Sequence, residues 1–360
     1  MRPNALPPKA SLTIHYTHGL KLRRHLPTGS ESNESLDMHA PTLAKHMATL
    51  LALLMLAHTA DAGPLRAWLA ERRHAPTQSE PDADDQATDD TPADSKAFGT
   101  PVRLFKDVAY GPDAHQRMDV YTPPDARSAP VIFMVHGGAW SIGDKAHSKV
   151  VNNKARHWLP QGFVLISLNY RLVPDVTPSE QVQDLARALA QAQKQAGQWG
   201  ADPDRFVLMG HSAGAHLVAL LNADPSAALQ AGARPWQGAV LLDSAAMDLV
   251  KIMQSRRHYR FYDKAFGKDA AYWPAVSPLH KLSANALPIL AVCSSKRQDS
   301  CPQAQALVDK AHSLHVQASV LPQDLSHGDL NAKLGEATSY TQAVDDFITT
   351  RLKLKRDANP

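Results

Sequence analysis

Phe206-Val207-Leu208-Met209-Gly210-His211-Ser212-Ala213-Gly214 joins a short, continuous apolar run to the pattern G-x-S-x-G, and a helix-forming stretch begins at Ala213. A run this short and this apolar suits a strand buried on both faces. The spacing therefore predicts strand, tight turn and helix, with Ser212 at the tip of the turn. Small residues are needed at 210 and 214 because the strand and the helix approach each other closely there. The first turn of the helix aims backbone N–H groups at any negative charge that develops beside Ser212. Ser212 is the candidate nucleophile.

Working outward, the same kind of apolar run recurs at 131–135, 163–168, 206–209, 239–242, 289–293 and 316–321. The intervals leave room for crossover helices. Thr177-Pro178-Ser179-Glu180 opens one of them as a capping box with proline at the first helical position. Its apolar stripe is Val182, Leu185, Ala186 and Leu189. A second helix follows Pro302 with Ala304, Leu307, Val308 and Ala311, and a last one carries Tyr340, Val344, Phe347 and Ile348 on one face. The expectation is an α/β fold, a mostly parallel central sheet with helices on both faces.

His136-Gly137-Gly138-Ala139-Trp140 follows the run 131–135, and glycines there let backbone come close to a carbonyl oxygen. The N–H groups of Gly138 and Ala139, with that of Ala213, are the expected oxyanion hole, and His136 is expected to brace the loop. A base and an acid should follow Ser212 in chain order, on loops after later strands. His327, in Ser326-His327-Gly328-Asp329, fits the base. For the acid, Asp299 after the run 289–293 is preferred, with Asp243 at the end of 239–242 as the alternative.

These segments, with Asn169-Tyr170-Arg171-Leu172 and Gly214-Ala215-His216-Leu217, resemble the α/β-hydrolase superfamily. The likeness is to bacterial carboxylesterases of the hormone-sensitive-lipase and feruloyl-esterase-like groups, and to the related arylformamidases, over roughly residues 100–353. Ala139 departs from the lipase-like HGGG pattern by standing in the third glycine's place. The resemblance implies hydrolysis of short-chain or aromatic carboxylic esters through an acyl-enzyme. The alternatives are a formamidase or amidase on the same residues, or a hydrolase-fold protein that only binds. In such folds the stretch 244–286 builds a small cap that shapes the pocket. It contains Arg256-Arg257-His258-Tyr259-Arg260-Phe261-Tyr262, expected to be a solvated cap helix rather than a recognition element for an acidic or aromatic substrate.

The chain has 360 residues, 44% apolar and 20% charged, which suits one large folded domain. With 38 basic and 35 acidic residues, the charge balance gives no reason to expect a nucleic acid partner. A small-molecule ester is the expected partner. Only Cys293 and Cys301 occur, so no Cys/His spacing suggests zinc, and no organic cofactor is expected. The two cysteines bracket Asp299 and are either a disulfide that restrains it or two buried thiols.

Met47 to Ala57, preceded by Lys45 and followed by Ala60-Asp61-Ala62, has the form of a signal peptide with cleavage after Ala62. The apolar run is too short for a stable membrane span, which needs about 20 residues. Met38 is the expected true start, since it gives a conventional charged leader. Residues 1–62 are thus read as an N-terminal extension and signal peptide, 63–99 as a disordered acidic linker, and 100–355 as the catalytic domain, exported to the periplasm or beyond.

Overall fold

The computed structural model describes residue 93 and residues 95–354. The expected extension and signal peptide, and all but the end of the acidic linker, lie outside the described residues. That end is packed: Ser95–Phe98 makes one 3₁₀ turn, and Phe98 is buried edge-on against Tyr121 with ring centroids 5.7 Å apart. The Ala93 N–H also donates to the Ala146 carbonyl at 2.7 Å. The folded part therefore begins several residues before 100, because one aromatic side chain there has a place in the core.

Eight strands form one sheet: β1 (Arg103–Ala109), β2 (Arg117–Thr122), β3 (Ala129–Val135), β4 (Val164–Leu168), β5 (Ala201–His211), β6 (Ala239–Leu242), β7 (Ile289–Ser294) and β8 (Ala318–Gln323). Their order across the sheet is β1-β2-β4-β3-β5-β6-β7-β8. The pairs β1·β2 and β2·β4 are antiparallel and the others parallel. The expected mostly parallel α/β sheet is borne out. The run expected at 316–321 begins two residues later as β8.

The helices are α1 (Ser148–Trp158), α2 (Pro178–Gln195), α3 (Ala213–Ala223), α4 (Ser226–Gln230), α5 (Leu249–Gln254), α6 (Arg260–Phe266), α7 (Pro278–Lys281), α8 (Ser300–Ser313), α9 (His327–Ala332) and α10 (Ser339–Leu352). The capping box of α2 forms as expected: the Thr177 hydroxyl accepts from the Glu180 N–H, and the Glu180 carboxylate accepts from the Thr177 N–H.

Strand alternation sorts the core into two halves, since successive side chains point to opposite faces. Val131, Phe133 and Val135 of β3 belong to the same buried cluster as Leu185 and Leu189 of α2, Leu217 and Leu221 of α3, and Leu307 of α8. Ile132 and Met134 of the same strand belong to the opposite cluster, with Val151, Ala155 and Trp158 of α1 and Val344 and Ile348 of α10. Each fully buried Leu or Val adds about 1.5–3 kcal/mol, so the central strands are fixed from both sides. Their C-terminal ends are left to carry loops, where open α/β sheets bind ligands.

Candidate active site

Ser212 lies between β5 and α3 with φ 54° and ψ −118°, a conformation that costs a non-glycine residue on the order of 1–3 kcal/mol. The turn is made possible by its flanking glycines. A Cβ on Gly210 would stand 2.4 Å from the Gly214 carbonyl oxygen, and one on Gly214 would stand 2.3 Å from that of Val135. The Ser212 N–H donates to the Leu242 carbonyl at 2.9 Å, which ties the turn to the end of β6.

The loop after β3 comes up beside this turn: a Cβ on Gly137 would be only 3.0 Å from that of Ser212. Gly138 then turns the chain with φ 111°, and Ala139 and Trp140 follow with φ 47° and 61°. Ala139 thus adopts a left-handed conformation in the position where a glycine would adopt it more easily. The N–H groups of Ser141 and Ile142 both donate to the Gly138 carbonyl, closing the loop. His136 braces it from below. Its Nδ1 donates to the Gly137 carbonyl at 2.7 Å, its ring stacks on Tyr170 at 4.5 Å, and the Tyr170 hydroxyl donates to the His136 carbonyl. Burial pushes His136 down to about 4, so it is neutral at physiological pH.

His327 is the first residue of α9, whose N-cap Ser326 accepts from the Asp329 N–H. The imidazole is buried. Its ring lies 4.5 Å from that of His211, and His211 Nε2 donates to the His327 carbonyl at 3.0 Å. His327 Nδ1 is hydrogen-bonded to Asp243 Oδ2.

The preference for Asp299 is therefore corrected. Asp299 sits at the N-terminal end of α8, half exposed, 3.5 Å from the Arg297 guanidinium, whereas the carboxylate that reaches His327 is that of Asp243. The His327 imidazole lies back toward β5, and the first residue after β6 supplies the carboxylate that meets it. Asp243 is fully buried, with φ 54°. Its Oδ1 accepts from the Ser294 N–H at 2.7 Å and from the Ser300 hydroxyl, and its Oδ2 from Arg297 Nη1 at 2.9 Å. Burial alone would raise the Asp243 carboxyl, but the bond and charge of His327, the Arg297 charge and the Ser300 hydroxyl outweigh it and hold the group well below the usual range.

Arg297 is the residue that the sequence gave no reason to single out. Nη1 lies 2.8 Å from His327 Nδ1, placing a guanidinium against both members of the pair. Burial works against its charge, and the Asp243 and Asp299 carboxylates more than offset that, keeping Arg297 above its ordinary value.

Ser212, Asp243, Arg297 and His327 share a cavity of about 60 Å³ with Ala139, Ala213, Trp140, Tyr259, Phe261 and Tyr262. The cap stretch splits by side-chain type. Arg256, Arg257 and Arg260 are exposed, while Tyr259, Phe261 and Tyr262 turn toward the cavity, Tyr262 with a ring centroid 5.8 Å from that of Trp140. The expected solvated helix is thus corrected: residues 256–259 are not helical, the helix starts at Arg260, and only the arginines of the stretch are solvent-exposed while its aromatic residues face the cavity. Trp140 is fixed in turn by His216, whose Nδ1 accepts from the indole N–H at 3.1 Å.

Residues 118–308 match the profile of the BD-FAE family, more than half of the chain. The chain belongs to the BD-FAE family. Among curated proteins it is 35% identical to the probable isoprenylcysteine alpha-carbonyl methylesterase ICME of Oryza sativa subsp. japonica, over 32% of this chain and 28% of that one. It is 29% identical to the esterase LipQ of Mycobacterium tuberculosis, over 67% of this chain and 61% of the relative. The matches thus span from about a quarter to three fifths of those relatives' lengths. Among solved structures, a truncated carbohydrate esterase from gut microbiota aligns with TM-score 0.62 at 18% identity, covering 73% of this chain and all of that one. Esterase B from Lactobacillus rhamnosis aligns with TM-score 0.57 at 20% identity, covering 86% and 95%. At these identities the structures establish the fold, and the expected α/β-hydrolase architecture is borne out. No helix among the described residues is long and apolar enough to cross a membrane.

Proposed function

We propose that this BD-FAE protein is a serine hydrolase of carboxylic esters, with Ser212 as nucleophile, His327 as base and Asp243 as acid. The observation that carries the reading is the Asp243–His327 pair opening onto the same cavity as Ser212 on its strained turn. Asp243 fixes the tautomer with hydrogen on Nδ1, which leaves Nε2 to take the Ser212 proton as Oγ attacks the ester carbonyl. The oxyanion forms beside the N–H groups of Gly138, Ala139 and Ala213, and each such donor is worth about 3 kcal/mol in the transition state. The N–H of Ala213, first in α3, has no carbonyl in a preceding turn to compete for it. His327 returns the proton to the leaving alcohol, and water activated by the same imidazole then releases the acid.

The esterase names of the relatives support the same activity. The small, aromatic-walled cavity supports a short or flat acyl group and an alcohol portion that projects toward solvent. The proposal includes export, on the strength of the leader-like sequence 47–62.

The test is a comparison of kcat/KM for p-nitrophenyl acetate and butyrate, a methyl hydroxycinnamate and N-formylkynurenine, with Ser212→Ala as control. Esters are expected to be preferred, and a clear preference for the formamide overturns the esterase assignment. Failure of a fluorophosphonate to label Ser212 would favour a non-catalytic binding protein. Export is checked by the N-terminus of the protein recovered outside the cytoplasm, where a residue other than Gly63 contradicts the cleavage site.

A further inference from the structure

We propose that the Cys293–Cys301 disulfide is a positioning element for the triad acid, closing a loop that holds three donors on Asp243 and thereby setting kcat. The inference rests on the reading of Ser212, His327 and Asp243 as a triad. The two cysteines, left open by the sequence, are bonded to each other, eight residues apart with Cα atoms 5.1 Å apart. Cys293 is the next-to-last residue of β7, and Cys301 lies in the first turn of α8. The seven residues between them supply the Ser294 N–H, the Arg297 guanidinium and the Ser300 hydroxyl that meet the two oxygens of Asp243. Ser294 and Ser300 flank the two cysteines from inside the loop, and both donate to Oδ1.

The two ends of the loop are held differently. At the β7 end, the Ser295 N–H donates to the Gln323 carbonyl at 2.9 Å and the Ser294 hydroxyl donates to the Leu325 carbonyl at 2.6 Å, so β8 and its following loop keep Ser294 in place. At the α8 end, the disulfide is the covalent link that returns Ser300 to the strand. Asp243 and His327 lie on other segments, so the pair keeps its shape only if both ends of this loop stay closed around it. A dithiol reductant delivers two electrons and two protons to the bond: Cys293 Sγ–Cys301 Sγ breaks, both sulfurs become thiols, and the dithiol closes to its own disulfide. The start of α8 then keeps only the packing of Ala304 and Leu307 and the bond from the Asp248 N–H to the Gln303 side chain, and its first turn relaxes off Oδ1 and loosens Arg297.

The experiment uses the oxidised full chain with p-nitrophenyl acetate. Cys293→Ala/Cys301→Ala is expected to lower kcat at least tenfold with KM within about twofold. Ser300→Ala is expected to lower kcat in the wild type and to cost little more in the double-cysteine background, since the disulfide acts through that hydroxyl. Wild-type kcat in the double variant, or full additivity with Ser300→Ala, overturns the proposal. A second measurement needs no variant: dithiothreitol should lower kcat as two thiols become titratable, and reoxidation should restore it. Unchanged kcat with two titrated thiols refutes it. Failure of the triad reading itself would show elsewhere, as full activity in Ser212→Ala or Asp243→Asn.

Discussion

Asp243→Asn separates the acid from the rest of the site with almost no change in volume. Asp243 now accepts on both oxygens, Oδ1 from Ser294 and Ser300 and Oδ2 from His327 and Arg297. Asparagine can satisfy only one side. If its oxygen stays with Ser294 and Ser300, its NH₂ faces the Arg297 guanidinium and forces His327 Nδ1 to accept, which puts the imidazole hydrogen on Nε2. Such a ring cannot take the Ser212 proton. If the amide flips, the NH₂ faces the Ser294 N–H in a buried site. The equivalent change in a serine-protease triad costs about 10⁴ in rate, which is about 5.5 kcal/mol on the barrier. Arg297, mostly buried, also loses its main counter-charge and keeps only Asp299 at 3.5 Å. That places the stability loss near the low end of a broken buried pair, about 3 kcal/mol, and lowers Tm by about 6–12 °C. Activity should be assayed at 20 °C with circular dichroism confirming the fold, alongside Asp299→Asn, which is expected to keep kcat within about twofold. A loss below tenfold for Asp243→Asn, or an equal loss for Asp299→Asn, would refute the assignment.

Ser212→Ala and Ser212→Gly should both be inactive, yet the glycine variant should be about 1 kcal/mol the more stable, because it relieves the positive φ; equal denaturant midpoints would show that the turn is unstrained. Lys154 is fully buried in α1, and its ammonium donates to the carbonyl and side-chain oxygens of Asn331 in α9, at 2.6 and 2.8 Å. Burial pushes it down to about 7 from 10.5, so between those values the unfolded chain binds more protons and this group's contribution to stability rises with pH, by up to about 1.4 kcal/mol per unit. Lys154→Met should remove that rise between pH 7 and 9.5 in urea unfolding, and an unchanged slope would count against it. Phe98→Ala should cost about 3–4 kcal/mol, measured by chemical denaturation, if the folded domain begins before residue 100; a loss under 1 kcal/mol would put the boundary back at 100.

The sequence made the central strands visible because β3 to β7 are buried on both faces, and such strands must be nearly continuous in apolar residues. It concealed β1 and β2 for two different reasons. β1 lies at the sheet's edge with most of its side chains exposed or half-buried. β2 carries Arg117 and Asp119, and the buried Asp119 carboxylate is met by Lys145 at 3.0 Å and by the Asp107 N–H at 2.8 Å. No local pattern announces a strand whose buried charge is neutralised 26 residues away. The cap residues 259–262 were opaque in a similar way, since a basic and aromatic mixture does not say which side faces inward.

Ser212 was legible because its turn constrains its neighbours chemically, glycine at 210 and 214, and His327 because it follows the last apolar run in the chain order such a site requires. The acid carries no such local signature. Chain order admits both Asp243 and Asp299, and adjacency in the sheet favours Asp299, the one that does not meet His327, since β7 is the neighbour of β8 and β6 is one strand further. Two features decide the matter in space. To serve Ser212 as proposed, His327 has to return over the sheet toward β5, which moves its imidazole above the end of β6. The loop after β7 is also drawn tight by Cys293 and Cys301, so α8 starts at Ser300 and Asp299 is left outward at its beginning. The same tightening sends Ser294, Arg297 and Ser300 inward, onto the carboxylate one strand back. The β7 loop that would have supplied the acid supplies its hydrogen-bond donors instead, and the fully buried carboxylate of Asp243 depends on them for its charge.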